Sequence, residues 1–339
     1  MSGSSLHDVA QRAGVSTATV SRALRGLPVV SEPTRTRIVA IAEELGYVVS
    51  PSASRLASGR THTLGVVVPY VNRWFFGQVI VGVEQELRAS GYDLLLYNLG
   101  DDAGRDRFFH EMPLRRRVDA VLVLSLPLSD AEVARLRALR VPVGLVGASV
   151  DGFACVHIDD VAGAGTAVRH LVNLGHREIA LISGGDDVPM HFTTPVDRRR
   201  GYLNALDTAG IGYDPELEAA GDFTVAGGQR AMSDLLSRSR RPTAVFALSD
   251  EMAFGAMRTL RMSGLRVPED ISVIGFDDHD MSDLLDLTTV AQPVVEQGTA
   301  VARLLLDQLS AGVPSSPRHP FSLPTRLVVR RSTAPPQRP

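Results

Sequence analysis

Apolar positions near the start of the chain recur at helical spacing, and residues that can cap helices precede them. Ser5 and Asp8 match the spacing of a capping box for a helix over residues 6–13. Gly14 can break that helix because glycine tolerates a left-handed backbone. A second helix is expected over 17–24, so the pattern predicts two short helices joined by a tight turn.

A third helix is expected after Ser31, which can cap it. Pro33 would lie in its first turn, where a missing N–H costs little. Its apolar stripe consists of Ile38, Ile41, Ala42 and Leu45. Gly46 can stop the helix, and the small polar residues that follow indicate a linker. The chain is therefore predicted to begin with an all-α module.

From residue 63 onward, short apolar runs of strand length alternate with amphipathic helical stretches. This alternation is typical of βαβ units, in which helices cover both faces of a parallel sheet. About 270 residues is large for one sheet, so we expect an α/β architecture with two doubly wound subdomains. The expected strands are 63–69, 92–99, 120–126, 141–147, 154–158, 178–183, 243–248 and 272–277.

The composition excludes several classes of protein. The chain has 339 residues, of which 44% are hydrophobic, and this is enough for more than one buried core. Cys155 is the single cysteine, so no internal disulfide can form. We find no signal-peptide pattern and no apolar run of the roughly 18 residues that a membrane span needs. A cytoplasmic location is therefore expected.

Charge is distributed unevenly along the chain. Residues 1–60 carry seven arginines and four acids, a balance of +3, whereas the whole chain carries −3, so the remainder carries −6. An N-terminal module of opposite sign is what contact with nucleic acid requires. A balance of +3 over sixty residues is also ordinary for a protein surface, so charge alone does not decide the function.

The packing demands of a helix-turn-helix are met in the first two predicted helices. Ala10 is small where the helices would cross, Gly14 suits the turn, and Val20 is a branched apolar residue for the inner face of the second helix. Val9 and Val15 would fill the space between the helices. The outer face of the second helix would then lie in the major groove of DNA.

The candidate DNA-binding residues surround this second helix. Its outer face carries Thr17, Ala18, Ser21 and Arg22. Arg22 can read guanine through two hydrogen bonds or hold a phosphate. Candidates to donate hydrogen bonds to phosphates are Ser16, Thr19 and Ser31. Ser16 fits the role of a helix cap equally well.

Residues 6–60 closely resemble the lactose-repressor/galactose-repressor family of transcriptional regulators. Two phrases carry the likeness, Val-Ser-Thr-Ala-Thr-Val-Ser-Arg-Ala-Leu at 15–24 and Arg-Ile-Val-Ala-Ile-Ala-Glu-Glu-Leu-Gly-Tyr at 37–47. Later segments fit the periplasmic-binding-protein-like core of that family, namely 65–69, 173–177, 249–255 and 273–278. The resemblance therefore covers essentially the full chain.

The resemblance implies a domain organisation. The expected parts are a helix-turn-helix domain over 1–49, a hinge helix and linker over 50–62, an effector-binding and dimerisation core over 63–330, and a disordered tail over 331–339. Within the core, the N-subdomain is expected over about 63–160 and 292–320, and the C-subdomain over about 161–291 and 321–330.

The family also implies a role for residues 50–57, which would fold into a hinge helix on the operator. There Leu56 would wedge into the minor groove and bend the DNA, and Arg55 is placed with the DNA-binding residues. This chain has Ser50 and Pro51 where the family usually has Pro-Asn, which removes an expected polar contact. A flexible tether is the alternative for so polar a segment.

Ligands of open α/β sheets bind at the carboxyl ends of the strands. The strand-end residues that we expect to bind an effector are Tyr70, Ser125, Asp159, Ser249 and Asp277. The loop after the first strand adds Trp74 and Phe75, whose rings could stack on a sugar. Packing of these rings in the core is the alternative, and it is preferred for Phe76.

Two of the effector residues also match family positions. Arg198 corresponds to the arginine that grips ligand hydroxyls or carboxylates, and Asp277 to the hydroxyl-binding aspartate. An aspartate–arginine pair offers acceptors and fork-shaped donors to a polyol. Ser249 stands where many relatives have Asn, which shortens the reach and implies a different ligand or a bridging water.

The sequence gives little support for catalysis or for metal binding. The run 277–280 (Asp-Asp-His-Asp) could suggest a metal site, but consecutive residues of one loop rarely converge on one ion. The sequence has no P-loop, nucleophile elbow or HExxH motif. We therefore expect no metal, no cofactor and no enzymatic activity.

The resulting hypothesis is a ligand-responsive transcriptional regulator, usually a repressor, that binds a pseudo-palindromic operator as a homodimer and senses a small sugar or sugar derivative. The family's tetramerising leucine heptads are not found in the sequence, which favours a dimer. The effector could act as an inducer or a corepressor. A transporter's solute-binding protein or a sugar-processing enzyme would explain residues 63–330 alone, but neither accounts for the helix-turn-helix.

Overall fold

The chain forms two compact units, Met1–His62 and Thr63–Pro339. The computed structural model describes residues 5–24, 28–47, 60–184, 190, 192–311 and 320–337. Residues 50–57, where a hinge helix is expected, lie outside these ranges. Within the described ranges, no helix combines the length and apolar character that crossing a membrane requires.

The first unit contains three helices, α1 (Leu6–Ala13), α2 (Thr17–Leu24) and α3 (Glu32–Glu44). Both hydrogen bonds of the predicted capping box join Ser5 and Asp8, and Gly14 ends α1 with φ of 64°. The side chains that fill the small core are Val9, Ala10, Ala13, Val20, Ala23, Val30, Ile38 and Ala42. The predicted helix-turn-helix packing is therefore confirmed.

The start of α3 differs in detail from the prediction. Pro33 lies in its first turn as expected, but the Ser31 side chain makes no capping bond to the backbone. Instead, the Ser31 hydroxyl lies 2.9 Å from the Thr34 hydroxyl. The helix therefore begins without a side-chain cap at this position.

The second unit alternates strands and helices as the sequence predicted. Its strands are β1 (Thr63–Val68), β2 (Asp93–Asn98), β3 (Ala120–Leu124), β4 (Val143–Val146), β5 (Ala154–Ile158), β6 (Ile179–Ser183), β7 (Glu218–Ala220), β8 (Ala244–Ala247), β9 (Ser272–Asp277), β10 (Thr288–Ala291), β11 (Phe321–Leu323) and β12 (Arg326–Val328). Its helices are α4 (Trp74–Ala89), α5 (Asp102–Glu111), α6 (Asp130–Arg137), α7 (Asp160–Asn173), α8 (Thr194–Thr208), α9 (Val225–Ser237), α10 (Asp250–Met262) and α11 (Val294–Ala311), with a 3₁₀ turn at Pro215–Leu217.

The strands form two six-stranded sheets. The first has the order β11-β5-β4-β3-β1-β2 and is parallel throughout, and the second has the order β12-β10-β9-β8-β6-β7, in which only β12 is antiparallel. The predicted pair of doubly wound α/β subdomains is confirmed. Four short strands, β7, β10, β11 and β12, were not predicted, and three of them have only three residues, too few to show a periodicity.

The chain passes between the two sheets three times, after β5, after β10 and between β11 and β12. The second of these crossings is close to the predicted boundary at 292. The assignment of 321–330 to the C-subdomain is corrected at its start, because residues 321–323 pair with β5 in the first sheet. Only the segment from Arg326 onward joins the second sheet.

The expected disorder of 331–339 is wrong for residues 331–337. The Ser332 carbonyl accepts the amide of Val273, and the Ser332 hydroxyl donates to the Val273 carbonyl at 2.6 Å. The carbonyl of Ala334 accepts from the Ser272 hydroxyl at 3.0 Å and lies 2.8 Å from His176 Nε2. This segment therefore satisfies polar groups at the start of β9 that would otherwise be buried without partners.

The helix pair α4 and α11 packs closely in the first subdomain, and glycine permits this approach. A Cβ atom at Gly82 would overlap the backbone carbonyl of Val295 and lie 2.9 Å from the amide of Thr299. Backbone atoms cannot move aside as a flexible side chain can. In contrast, a Cβ atom at Gly77, in the same helix, would meet nothing within 4 Å.

We therefore expect opposite effects from two alanine substitutions in α4. Gly82→Ala should destabilise the protein by about 1–3 kcal/mol because it forces the helices apart. Gly77→Ala should stabilise it by about 0.5–1 kcal/mol because alanine lowers the entropy cost of forming the helix. Urea unfolding followed by circular dichroism measures both changes, and equal effects at the two positions would contradict the close-packing account.

Candidate functional site

The outward face of α2 is available for contact with a partner. Thr17, Ala18 and Arg22 are exposed and Ser21 is half-buried, while Val20 is fully buried on the opposite side. The helix contains no acidic residue. The face therefore has the small, polar and cationic character that suits a DNA groove. The predicted contacts Arg55 and Leu56 lie outside the described residues.

The residues predicted to bind phosphates lie near helix starts. Ser16 is exposed; its hydroxyl accepts the Thr19 amide at 3.1 Å and lies 2.9 Å from the Thr19 hydroxyl. Ser16 is therefore a helix cap in this structure, one of the two roles that the sequence left open. Ser31 is also exposed and is not engaged in capping α3. Its hydroxyl keeps the capacity to donate to a phosphate.

In the second unit, a cleft of about 250 Å³ lies between the two sheets at the carboxyl ends of their strands. Six of the predicted effector residues line it, namely Tyr70, Phe75, Ser125, Arg198, Ser249 and Asp277. They come from both subdomains, as expected for a site at the strand ends of open sheets.

Arg198 is the centre of the polar side of this cleft. Its Nε atom donates to Asp160 at 2.7 Å, and its Nη1 atom lies 3.1 Å from a carboxylate oxygen of Asp277. Nη1 also donates to the Leu248 carbonyl at 2.6 Å. The guanidinium carbon lies 3.6 Å from the centre of the Phe276 ring. One arginine therefore holds two carboxylates, and its side chain is only 4% exposed.

Two buried glutamines extend this network. Gln292 donates to the same Asp277 oxygen at 2.6 Å, and Gln297 donates to Gln292 at 2.9 Å. Asp160 begins α7 just after the chain leaves the first sheet, and Gln292 lies where the chain returns to that subdomain. The network therefore includes residues from two of the three crossings between the subdomains.

Burial and mutual attraction set the pKa values of Arg198 and Asp277. Burial raises the pKa of the Asp277 carboxyl, while Arg198 and the Gln292 amide oppose that rise. Asp160 and Asp277 raise the pKa of Arg198 against the effect of its burial, so the guanidinium stays charged. The arrangement presents carboxylate acceptors and fixed donors to a ligand, which suits hydroxyl groups.

Two predicted effector residues are placed elsewhere by the structure. Asp159 is exposed and caps α7 by accepting the Ala162 amide at 2.8 Å, and the next residue, Asp160, turns into the cleft instead. Trp74 does not line the cleft. Its indole N–H donates to Asp280 at 3.0 Å, and its ring stacks on His279 at 4.6 Å between ring centres. Trp74 therefore links the first subdomain to the loop after β9.

The cleft also contains residues that the sequence reasoning missed. Arg73, Glu251 and Gln292 line it, as do Phe192 and Phe223. Glu251 follows the strand-end pair Ser249-Asp250, so the rule that ligands bind at strand ends could have included it. Phe192 and Phe223 come from loops whose approach to the cleft no local pattern indicates. Phe76, expected in the core, is 7% exposed and also reaches the cleft wall.

Comparison with known proteins agrees with this geometry. Residues 5–50 match the model of bacterial regulatory proteins of the lacI family, and residues 168–333 match a periplasmic binding protein-like domain. The transcriptional repressor CytR of Escherichia coli K12 is 37% identical over 335 residues, which cover 97% of this chain and 96% of CytR. This chain belongs to the lacI family of bacterial transcriptional regulators.

Solved structures extend the comparison with this lacI-family chain. A lac repressor dimer bound to operator and the anti-inducer ONPF has a TM-score of 0.86 and 29% identity, and the match covers 98% of this chain and 100% of that one. A complex of the regulator CelR with cellobiose has a TM-score of 0.71 and 35% identity, with coverages of 97% and 99%. Both parts of the chain therefore have structural counterparts within single regulators.

A second buried carboxylate of this lacI-family chain lies beside the cleft and holds the loop after β9. Asp250 is fully buried and accepts hydrogen bonds from the Thr289 and Ser282 hydroxyls, both at 2.7 Å, and from the His279 amide at 2.8 Å. These three hydrogen bonds make Asp250 an anchor of the loop that contacts Trp74.

Among the described residues, no three His, Cys, Asp or Glu side chains are grouped to hold a metal ion.

Removal of the Arg198 guanidinium should cost much more stability than removal of a surface arginine. Arg198→Leu would leave Asp160 and Asp277 without their shared cation, and we expect a loss of about 3–5 kcal/mol in the free energy of unfolding. Arg200→Leu, in the same helix, removes a side chain that is 58% exposed and should cost about 0–1 kcal/mol. Denaturant titration compares the two, and similar losses would argue against the shared-cation arrangement.

The pKa of Asp250 should give the free energy of unfolding a measurable pH dependence. Burial and the nearby Asp277 carboxylate raise this pKa from 3.8 to about 7. The folded state then binds the proton more tightly than the unfolded state, so this contribution to stability is present below the unfolded pKa and is lost as the pH rises towards 7. Asp250→Asn should lack that loss. Urea midpoints of both proteins between pH 4 and 8 test this, and parallel profiles would refute it.

Proposed function

We propose that this protein is a ligand-responsive repressor that binds a pseudo-palindromic operator as a homodimer and is controlled by a small sugar or sugar derivative. The observation that carries the proposal is the Arg198 network. It offers polar groups to a ligand in the cleft, and it includes residues at two of the segments that join the subdomains. A ligand at this position can therefore influence the arrangement of the subdomains.

The DNA-binding part of the proposal rests on the exposed face of α2. A helix-turn-helix dimer places two such helices in successive major grooves, about 34–36 Å apart. The lac repressor, which matches this chain over nearly its full length, has been solved as a dimer on its operator. By analogy we place Thr17, Ala18, Ser21 and Arg22 against base edges, and residues 50–57 against the minor groove.

The sensing part of the proposal rests on the chemistry of the cleft. Asp160, Asp277 and Gln292 provide hydrogen-bond acceptors and donors around one guanidinium, and Phe75 and Tyr70 provide flat apolar faces. The structure of CelR, which is 35% identical, contains cellobiose. Polar networks beside aromatic faces suit a polyol ring, which has hydroxyl edges and apolar C–H faces.

Control would act through two contacts between the subdomains. A bound ligand that engages Asp277 would shift the Arg198 network, and movement of the cleft walls would alter the contact of Trp74 with His279 and Asp280. A ligand that prefers one arrangement of the subdomains shifts the population of the two arrangements. In a dimer, this shift would change the spacing of the two DNA-binding modules.

The same coupling permits either sign of control. A ligand that favours the DNA-binding arrangement would be a corepressor, and one that favours the other would be an inducer. We assign no catalytic role to the cleft and propose a sensor. Because such a regulator acts on chromosomal DNA, we propose a cytoplasmic location.

The experiment that tests this function is operator binding by the full chain. An operator sequence can be selected from random duplexes on the purified protein, and a two-fold symmetric consensus is expected. Arg22→Ala should weaken binding about 5- to 150-fold if Arg22 makes a base contact worth about 1–3 kcal/mol. Leu56→Ala should also weaken binding, because it removes the predicted wedge.

Arg12→Ala is the matched control, because it removes one positive charge from α1. Arg12 pairs with Glu44 of α3 at 3.7 Å and does not belong to α2. Its loss should change affinity little. Retained binding by both Arg22→Ala and Leu56→Ala would overturn the proposed mechanism, and failure to select any DNA would overturn the proposed function.

A further inference from the structure

The charges that line the cleft are out of balance. Among the described residues, its wall contains two guanidinium groups, those of Arg73 and Arg198. The carboxylates that the described part of the wall contains are those of Asp160, Asp222, Glu251 and Asp277. When these six groups are ionised, the described part of the wall carries a net charge of −2. Asp222 is compensated at the rim by Arg230, at 3.0 Å, so the interior of the cleft remains negative by one charge.

Neither guanidinium offers surplus positive charge to a ligand. Arg198 is shared between two carboxylates and also donates to a backbone carbonyl. Arg73 donates to the Phe223 carbonyl at 2.6 Å and lies over the Tyr70 ring, 5.8 Å from its centre. Burial raises the pKa of Glu251, and the charge of Arg73 partly opposes that rise. The described charged groups of the cleft therefore sum to a negative charge, which disfavours an anionic ligand.

Glu251 is the carboxylate that is left to face a ligand. It lies in the first turn of α10, is half-buried and lines the cleft. Within the described part of the chain, no hydrogen bond or ion pair engages its carboxylate. Burial raises its pKa, which is the expected cost of holding this charge without a close partner. A ligand that donates a hydrogen bond would relieve that cost.

Aromatic side chains form another part of the cleft lining, called here the aromatic wall. Phe192 lies between Tyr70 and Phe76, with ring centres 6.1 and 6.5 Å apart, and Phe75 meets Phe76 at 5.3 Å. Phe223 completes the wall. Such a surface stacks well on a flat ring and offers few hydrogen bonds to the ligand. The cleft thus offers groups for both a polar part and a flat part of one molecule.

We propose that the cleft selects an uncharged or cationic glycoside, which donates a hydroxyl or amine to Glu251 and stacks a planar ring on the aromatic wall, and that it rejects phosphorylated and carboxylated ligands. This inference rests on the proposed sensing function and names the class of effector. Both nucleosides and aryl glycosides share the required chemistry, a polyol joined to a planar ring. Glu251 is the specificity-determining residue.

The test is a melting-temperature screen of the full chain with matched pairs of ligands. Nucleosides are compared with their 5′-monophosphates, phenyl glycosides with phenyl glucuronides, and glucose and glucosamine with glucose 6-phosphate. At least one uncharged or amino member should raise the melting temperature, and its anionic counterpart should bind at least 10-fold more weakly by calorimetry. The nucleoside and phenyl-glycoside sets distinguish the two sources of the ring.

Glu251→Gln keeps the size of the side chain and removes its charge. For the ligand that binds best, the affinity should fall about 5- to 10-fold, and discrimination against the anionic counterpart should shrink. Glu269→Gln, which changes an exposed acid outside the cleft wall, should leave both unchanged. The melting temperature of each variant without ligand shows that it folds.

Binding by anionic members alone, binding by no member of the panel, or unchanged selectivity in Glu251→Gln would each overturn the inference. The same preparations are tested on the selected operator, which separates this failure from failure of the proposed function. A protein that binds operator and responds to an anion would still be a ligand-responsive regulator. A protein that binds no operator would not, whatever its cleft accepts.

Discussion

Arg198 lies between the carboxylates of Asp160 and Asp277, and neither carboxylate can leave it without stranding a buried charge. This constraint fixes the start of α7 relative to the end of β9, because each element contributes one of the two acceptors. It also fixes Gln292, which donates to the same oxygen of Asp277. The polar wall of the cleft and the course of two crossing segments are therefore set by one guanidinium.

The same network explains how a ligand bound in the cleft could change the arrangement of the two subdomains. A packed network that is fully hydrogen-bonded does not deform gradually, and it prefers a small number of discrete arrangements. A ligand hydroxyl that takes the place of one contact would favour one arrangement over another. The second contact between the subdomains, Trp74 with His279 and Asp280, depends on Asp250, because Asp250 holds the backbone of that loop. Several polar contacts thus join the two subdomains near the cleft, among them these two and the hydrogen bond from Arg73 to the Phe223 carbonyl.

Much of this architecture could be predicted from local patterns. The capping box at Ser5 and the turn at Gly14 are short-range features, and the buried strands are long apolar runs, so each leaves a clear signal in the sequence. The effector candidate Arg198 was found through family resemblance, and Asp277 was found both through that resemblance and through its position at a strand end. The sequence could not show that Asp160, and not Asp159, lines the cleft. A shift of one residue at the start of a helix decides which aspartate caps the helix and which faces the cleft.

The roles of Trp74 and Glu251 could not be predicted from the sequence for a different reason. Their roles depend on which side chains of the other subdomain, or of a distant loop, stand opposite them, and no periodicity along one segment contains that information. The ordered segment 331–337 is a similar case, because its polar composition suggests disorder while its partners lie at the start of β9, about sixty residues away. Long-range complementarity of hydrogen bonds, not local propensity, decides such positions.

The DNA-binding module imposes a final constraint on how control can work. Helix α2 presents one cation, Arg22, together with small polar side chains, so this helix alone can displace few counterions from DNA. In the proposed dimer, two modules held at the spacing of successive major grooves would gain affinity, because the second contact becomes intramolecular and gains effective concentration. That gain is lost when the spacing is wrong. A change in subdomain arrangement that alters only the spacing can therefore control DNA binding without altering any residue that touches DNA.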